Sequence, residues 1–400
     1  MKTCAIIAEY DPFHAGHARQ IRLLREAFGE DTRVISIMSG NFTERGSTAV
    51  ADKYLRAKAA VLCGVDLVLE LPFPFSMLSA ELFAGAGVHI ANAIGVVDLL
   101  SFGSESGDLG RLSQAAEALL TEDFAKNLGA LSEERPEAGY PALAEAALTP
   151  MIGDCGDLFS PNQILALEYL KALKRTGSRI LPHTVRRVGQ DFSDDVPGRS
   201  AYPSASAIRA ASKKDPYSAI EMMPEKVRPL FREALGKGEF PCSVGALSPA
   251  ILSYFRLNAP DPAKTYHDAA GGLYTRLRNA SFEATDLSAL ISLASTKKYT
   301  DARLRRAVLC SFFGVTSSDA KEKPAYTQLL ASGPAGLGIL KEIKKASDFP
   351  VLTKPSAVEA LSADAKRQKE RSDLADAIFA LTSPIPVDGR RTLRQTPFIL

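Results

Sequence analysis

Two histidines one helical turn apart close the segment Glu9-Tyr10-Asp11-Pro12-Phe13-His14-Ala15-Gly16-His17. A short apolar run, Ala5-Ile6-Ile7-Ala8, precedes it, so the order reads strand, turn, helix start. Imidazoles at that spacing, beside the free N–H groups of a helix N-terminus, make a compact anion site. Gly16 lets a flat base or a phosphate approach backbone that a Cβ would shield. A His pair at this spacing can also be surface polarity. Its position after the first strand of an α/β pattern favours a site for a nucleoside triphosphate attacked at the α-phosphate.

Such a reaction asks a protein mainly for positioning and for stabilisation of the charge that develops on pyrophosphate. Later cations at Arg187 and Arg209 could supply charge, and Ser204 and Ser206 at another helix start could donate to the same phosphates. A single Arg at a strand end is also a common surface ion pair. The Ser-x-Ser-x-x-Arg helix start in a chain with His-x-Gly-His has the layout of the nucleotidyltransferase superfamily.

The elements that must position these residues alternate. Strands are expected at 3–9, 33–38, 66–71 and 97–102, and helices at 15–28, 50–63 and 77–94. That order means a parallel sheet with right-handed crossovers, an α/β fold. The polar stretches 9–17, 39–46 and 103–108 each follow a strand and should converge on one crevice. Residues 109–150 read as helical with a break at 136–139. Ser160-Pro161 opens another helix, and a fifth strand is expected across 184–188. Glycines and Pro241 in 235–245 set the boundary between a catalytic domain, 1–240, and a mainly helical domain, 241–400, with one short strand at 349–352.

Composition narrows the class. The chain has 400 residues, 46% hydrophobic and 24% charged, and no 18-residue apolar stretch, so no membrane partner is expected. The N-terminus does not read as a signal peptide. Five scattered cysteines without a C-x-x-C argue for reduced thiols, a cytoplasmic location and no resident metal site. The net charge of +2 conceals an asymmetry: residues 241–400 hold 22 Lys+Arg against 15 Asp+Glu, whereas 1–240 hold 26 against 31. A basic second half suits a polyanionic partner.

The motifs, in order, are Glu9 to His17, Met38-Ser39-Gly40-Asn41-Phe42, Arg45-Gly46, Asp52-Lys53, Leu69-Glu70-Leu71-Pro72-Phe73, Phe102-Gly103-Ser104-Glu105 and Ser160-Pro161-Asn162. Together they resemble the bacterial tRNA(Met) cytidine acetate ligase family, densely over 3–110 and patchily after 240. The resemblance implies a Rossmann-like nucleotidyltransferase domain that forms acetyl-adenylate from ATP and acetate. The acetyl group then passes to the N4 amine of the wobble cytidine of elongator tRNA(Met). ATP is expected as substrate with Mg2+ accompanying it, and DNA is not expected as a partner. His14, His17 and Lys53 are the catalytic candidates. The ATP pocket is expected at Ile7, Ala8, Glu9, Tyr10, Asp11, Pro12, Phe13, His14, Gly16, His17 and Gln20, with Gly103, Asn162, Arg186 or its neighbour Arg187, and Ser206. Lys297, Lys298, Tyr299, Arg303 and Arg306 resemble the family's basic RNA-binding segment.

Three regions depart from the family pattern. Asp11 stands where Asn is expected and puts a carboxylate beside a triphosphate site. Residues 324–331 are poorer in Arg and Gly, and the final 40 residues match poorly. Lys53 and Arg56 are expected on a helix that rims the crevice, as phosphate or RNA contacts or as a solvated face. Glu70 reads as a turn cap, and His89 and His267 as surface or satisfied buried histidines. Two rival activities remain: a small-molecule adenylyltransferase, which needs no basic second half, and a non-catalytic RNA-binding module, against which the intact His14, Gly16 and His17 argue.

Overall fold

Apolar strands buried on both faces build the centre of the molecule. The computed structural model describes residues 1–187, 203–261 and 265–400. The first half runs β1 (Thr3–Ala8), α1 (Ala15–Phe28), β2 (Arg33–Ser39), a hairpin of β3 (Phe42–Thr43) and β4 (Ser47–Thr48), α2 (Lys53–Leu62), β5 (Leu67–Leu71), α3 (Ala80–Ala93) and β6 (Leu99–Ser104). Helices α4 (Leu109–Ala118), α5 (Glu122–Glu134), α6 (Tyr140–Ile152) and α7 (Pro161–Arg175) lead to β7 (Leu181–Arg186). Then come α8 (Ala205–Lys214), α9 (Pro216–Glu221) and α10 (Arg228–Gly236).

Among the described residues the main sheet has the order β10-β8-β5-β2-β1-β6-β7, with β9 paired to β8. β1 pairs in parallel with β2 on one side and β6 on the other. The chain therefore winds outward in one direction through β2 and β5 and in the other through β6 and β7. This reversal leaves a crevice beyond the carboxyl ends of β1 and β6, where ligands of such sheets bind. Ala5, Ile7, Ile35 and Ile37 enter the core on one face of the sheet; Cys4, Ile6, Val34 and Met38 enter it on the other. Double-sided burial explains why these strands read as unbroken apolar runs.

The second half is helical through α11 (Ser248–Leu257), α12 (Leu273–Glu283), α13 (Leu287–Ala294) and α14 (Asp301–Phe313). It then returns to the sheet as β8 (Thr327–Ser332), followed by α15 (Gly336–Ala346), β9 (Val351–Leu352), α16 (Ala363–Phe379), α17 (Arg391–Arg394) and β10 (Phe398–Ile399). The short strand expected at 349–352 is present as β9, but β8 and β10 have no counterpart in the sequence reading. β8 pairs antiparallel with β5, Val68 opposite Ala331, and β10 pairs with β8. Thr327-Gln328-Leu329-Leu330-Ala331-Ser332 has one β-branched residue and no aromatic, so the neighbouring strand, not local propensity, fixes its conformation. Ser160 occupies the N-cap of α7 without capping it; its hydroxyl donates to Glu105 Oε2 at 2.7 Å. Val188 and the loop after it lie outside the described residues.

Candidate active site

The turn after β1 delivers the histidines. Tyr10 adopts a left-handed backbone, φ 45°, and its buried ring packs 4.8 Å from both Phe13 and His17. His14 is the N-cap of α1. Its Nδ1 accepts the Gly16 N–H at 3.0 Å, and His17 Nδ1 accepts the His14 N–H at 3.2 Å. This is a capping box in which imidazoles take the usual places of Ser and Glu. The two rings stack, centroids 3.7 Å apart. With Nδ1 of each ring accepting a backbone hydrogen bond, Nε2 must carry the ring hydrogen, so both imidazoles are Nε2–H donors. Burial, then Arg187 and Arg209, pushes the His14 pKa down to about 3. His17 is held well below its usual value by burial, His14 and Arg187. Gly16 has a packing role too: a Cβ there would lie 2.8 Å from His14 Cε1.

The three polar strand-end segments converge as the sequence order requires. Glu44 N–H donates to Glu9 Oε1 at 2.9 Å, joining the first to the second. Arg187 covers Gly103, where a Cβ would lie 3.2 Å from Arg187 Cγ, and it acts electrostatically on both histidines. Of the two adjacent candidates it is thus Arg187 that reaches the His pair. Arg186 is exposed, with its side chain against Gly107, and its carbonyl accepts from Arg19 at 2.9 Å. Gln20 is tied to β6 through Ser101 Oγ at 3.1 Å. Ile7 and Ala8 end β1, while Pro12 and Phe13 are buried in the turn. The side chain of Asn162, at the start of α7, lies outside what the structure describes.

Arg209 binds the carbonyl of Asp11 at 2.6 Å, its carboxylate at 3.5 Å and Ser206 Oγ at 3.0 Å. Ser204 caps α8 through the Ala207 N–H. Asp11 is buried, and its Oδ1 accepts the Val50 N–H at 2.7 Å. Asp11 therefore does not cap α1, and Arg209 offsets its charge. Glu9, beside it, has its carboxyl pushed up to about 6 by burial, by Asp11 and by Glu44.

Three expectations need correction. Lys53 and Arg56 do not rim the crevice; both are buried. Lys53 Nζ lies 2.7 Å from Glu70 Oε1 and 2.7 Å from Asp376 Oδ2, a sealed triad that leaves no open ammonium for substrate. Burial opposes its charge, but Asp376 and Glu70 hold the ammonium well above the ordinary lysine range. Glu70 is thus an ion-pair partner, not a turn cap. Arg56 donates to the carbonyls of Ala51, Glu9, Ser39 and Gly40, pinning the strand ends that frame the crevice. The third correction is Arg306. It is 8% exposed, with Nε 2.7 Å from Asp268 and NH1 3.2 Å from Glu44, so it locks α14 to the β3–β4 hairpin and does not face solvent. Gly46 at the hairpin tip has φ +67°, and a Cβ there would lie 2.5 Å from Arg306 N. Lys297 and Lys298 are exposed, and the Arg303 guanidinium lies 5.0 Å from the Tyr299 ring centroid.

Sequence reasoning passed over Glu44, Asp268 and Asp376. Asp376 lies 323 residues from Lys53, and no local pattern could have joined them. Among the described residues no group of three or more His, Cys, Asp or Glu is placed to hold a metal ion, and no helix is long and apolar enough to cross a membrane.

A crevice at the reversal of a parallel sheet, lined by a capping His-x-Gly-His and two arginines, defines a nucleotidyltransferase. The sequence model of the HIGH Nucleotidyl Transferase family matches residues 1–391. The chain is 33% identical over 398 residues to the tRNA(Met) cytidine acetate ligase of Acetivibrio thermocellus, covering 95% of each. It is also 33% identical over 378 residues to the enzyme of the same name from Clostridium perfringens, covering 89% of this chain and 90% of that one. It is similar along its whole length to Thermotoga maritima TmcAL bound with alpha-thio ATP, with TM-score 0.90 and 29% identity over 100% of both chains. The chain belongs to the tRNA(Met) cytidine acetate ligase family.

Proposed function

We propose that this protein activates acetate with ATP and acetylates the N4 amine of the wobble cytidine of elongator tRNA(Met). An acetate oxygen attacks the α-phosphorus, the bond to pyrophosphate breaks, and acetyl-adenylate forms. The cytidine N4 then attacks the acetyl carbonyl, AMP leaves, and N4 gives up a proton. The observation that carries this reading is the neutral His14–His17 pair, two Nε2–H donors that both lie within the field of Arg187, with Arg209 acting on His14 as well. Neutral donors and fixed guanidiniums stabilise charge as it develops on phosphate oxygens. Arg187 and Arg209 are the phosphate-facing cations, and residues 7–20 with Gly103 form the ATP pocket. Lys53 is a positioning residue that anchors α2 to α16. Magnesium enters with ATP as part of the substrate, held by the phosphates.

Residues 1–240 carry the nucleotide chemistry, and 241–400 contribute most of the tRNA surface through Lys297, Lys298, Tyr299 and Arg303. Five free cysteines and a tRNA substrate suit a cytoplasmic setting. Incubation with ATP, labelled acetate and bulk tRNA tests the reading. Label recovered as N4-acetylcytidine in nucleoside digests is expected. An unlabelled tRNA pool, or ATP consumption that depends on a small phosphorylated acceptor, overturns it.

A further inference from the structure

A cavity of about 490 Å3 lies between the α5–α6 loop and the C-terminal helices, and it shares no lining residue with the His14–His17 crevice. Its walls include Glu137, Gly271, Gly272, Lys297, Lys298 and Tyr299. The volume falls within the roughly 300–1,000 Å3 typical of small-ligand sites.

Each wall has a chemical character. Gly271 and Gly272 have φ +66° and +82°, and a Cβ added to either would meet nothing within 4 Å, so this backbone faces open space. Gly272 is the N-cap of α12 and supplies no side-chain cap; the first N–H groups of that helix, those of Leu273 and Tyr274, donate instead to the carbonyls of Ala270 and Ala269 at 3.4 and 3.2 Å. Lys297 and Lys298 are exposed ammoniums. Arg276 adds charge but is already engaged by the carbonyls of Ala294 and Ser295, at 2.7 and 3.3 Å. Tyr299 is half-buried. The Tyr299–Thr296 backbone bridge and Arg303 beside its ring hold it in place. Glu137 is the carboxylate of this wall, an acceptor for an exocyclic amine or a ribose hydroxyl.

A positioned aromatic face, two exposed ammoniums and one acceptor match the three parts of a nucleotide: base, phosphate and amine or sugar edge. Bases inside a duplex are stacked and cannot enter such a cavity, whereas unpaired bases can be splayed onto an aromatic ring. We propose that this cavity takes one unpaired nucleotide of the tRNA other than the acetylated cytidine, with its base against Tyr299 and its phosphate at Lys297 and Lys298. The proposal rests on the tRNA reading above. It adds a second, separate foothold that reads single-stranded structure and so helps to present the reacting cytidine to the adenylate.

The test uses the full-length protein with two RNA probes of equal charge: the anticodon stem-loop of tRNA(Met) and a fully paired duplex. Tyr299→Ala is expected to weaken stem-loop binding about tenfold or more, as loss of one stacking contact does, and duplex binding less than about twofold. Tyr299→Phe should retain stem-loop affinity. The Lys297→Ala/Lys298→Ala pair should weaken both probes and flatten the slope of log K against log salt by about one to two. As a readout independent of variants, 2-aminopurine placed in turn at each unpaired loop position should be quenched at one position on binding the unaltered protein. Equal losses for both probes in Tyr299→Ala, or no quenching at any position, overturns the proposal. Acetylation of tRNA by the unaltered protein is measured alongside, so failure of the enzymatic reading and failure of this site give different results.

Discussion

The imidazoles of His14 and His17 cap the helix they sit on, each accepting a backbone N–H at Nδ1 and keeping Nε2–H for a ligand. Cap and donor are separable functions of His14. Asn is among the best N-cap residues but places no N–H where the imidazole Nε2 lies. His14→Asn should therefore keep stability within about 0.5 kcal/mol while His14→Ala loses about 1 kcal/mol. Both should slow acetyl-adenylate formation on the order of a hundredfold. His17→Ala should slow it as much. Pyrophosphate release with acetate and without tRNA, set beside denaturant unfolding, checks both halves. Rates within about twofold of the parent enzyme in all three variants would remove the pair from the chemistry.

Arg186 and Arg187 are adjacent but face different neighbours: Gly107 for one, Gly103 and the His pair for the other. Arg187→Ala should reduce kcat/KM for ATP about ten- to a hundredfold, the scale of a lost charge-assisted hydrogen bond. Arg186→Ala should stay within about twofold, its link to Arg19 being through the backbone carbonyl. Equal losses in the two variants would place both guanidiniums on the nucleotide.

The first hundred residues were legible because their signals are local. Apolar strands, strand-end polar loops and His-x-Gly-His each carry their meaning within a few residues, and the loops meet as the winding rule requires. What could not be read depends on distant contacts. β8 becomes a strand by pairing with β5, Asp376 crosses from α16 to Lys53, and Arg306 turns inward to Asp268 and Glu44. In each case a basic or neutral segment that looks solvent-facing finds its partner hundreds of residues away, or across the seam between the halves. Asp11 shows the same limit: its type was legible, but its partners Val50 and Arg209 were not.

The sealed triad of Lys53, Glu70 and Asp376 makes a structural prediction. Removing one member of a buried ion group leaves an uncompensated charge and costs about 3–5 kcal/mol. Lys53→Met and Asp376→Asn should both lower stability on that scale. Adenylation per folded molecule should remain near the parent value in both, because neither side chain touches substrate. A large rate loss in Lys53→Met alone, with Asp376→Asn fully active, would return Lys53 to the catalytic set.

The acid limb of ATP binding should belong to Glu9. Its carboxyl is raised from 4.5 to about 6, so its contribution to folding is fully present below about pH 4.5 and is lost as pH rises through about 6. His14 has the opposite sign: its pKa is lowered from 6.5 to about 3, so its contribution is complete above about 6.5 and is lost as pH falls toward 3. Between about pH 4.5 and 6 the Glu9 slope opposes that of His14 and of the other depressed histidines, His17 among them, and Glu9→Gln should steepen the rise of stability with pH in unfolding measurements. For ligand binding, protonating Glu9 removes a negative charge from the nucleotide site. ATP affinity should therefore rise about fivefold as pH falls through 6, the factor for ~1 kcal/mol of partly screened repulsion. ATP titrates in the same range, and comparison of the parent with Glu9→Gln cancels that contribution. Identical ATP affinity profiles between pH 5 and 8 would show that Glu9 faces the Glu44 N–H alone and does not feel the phosphates.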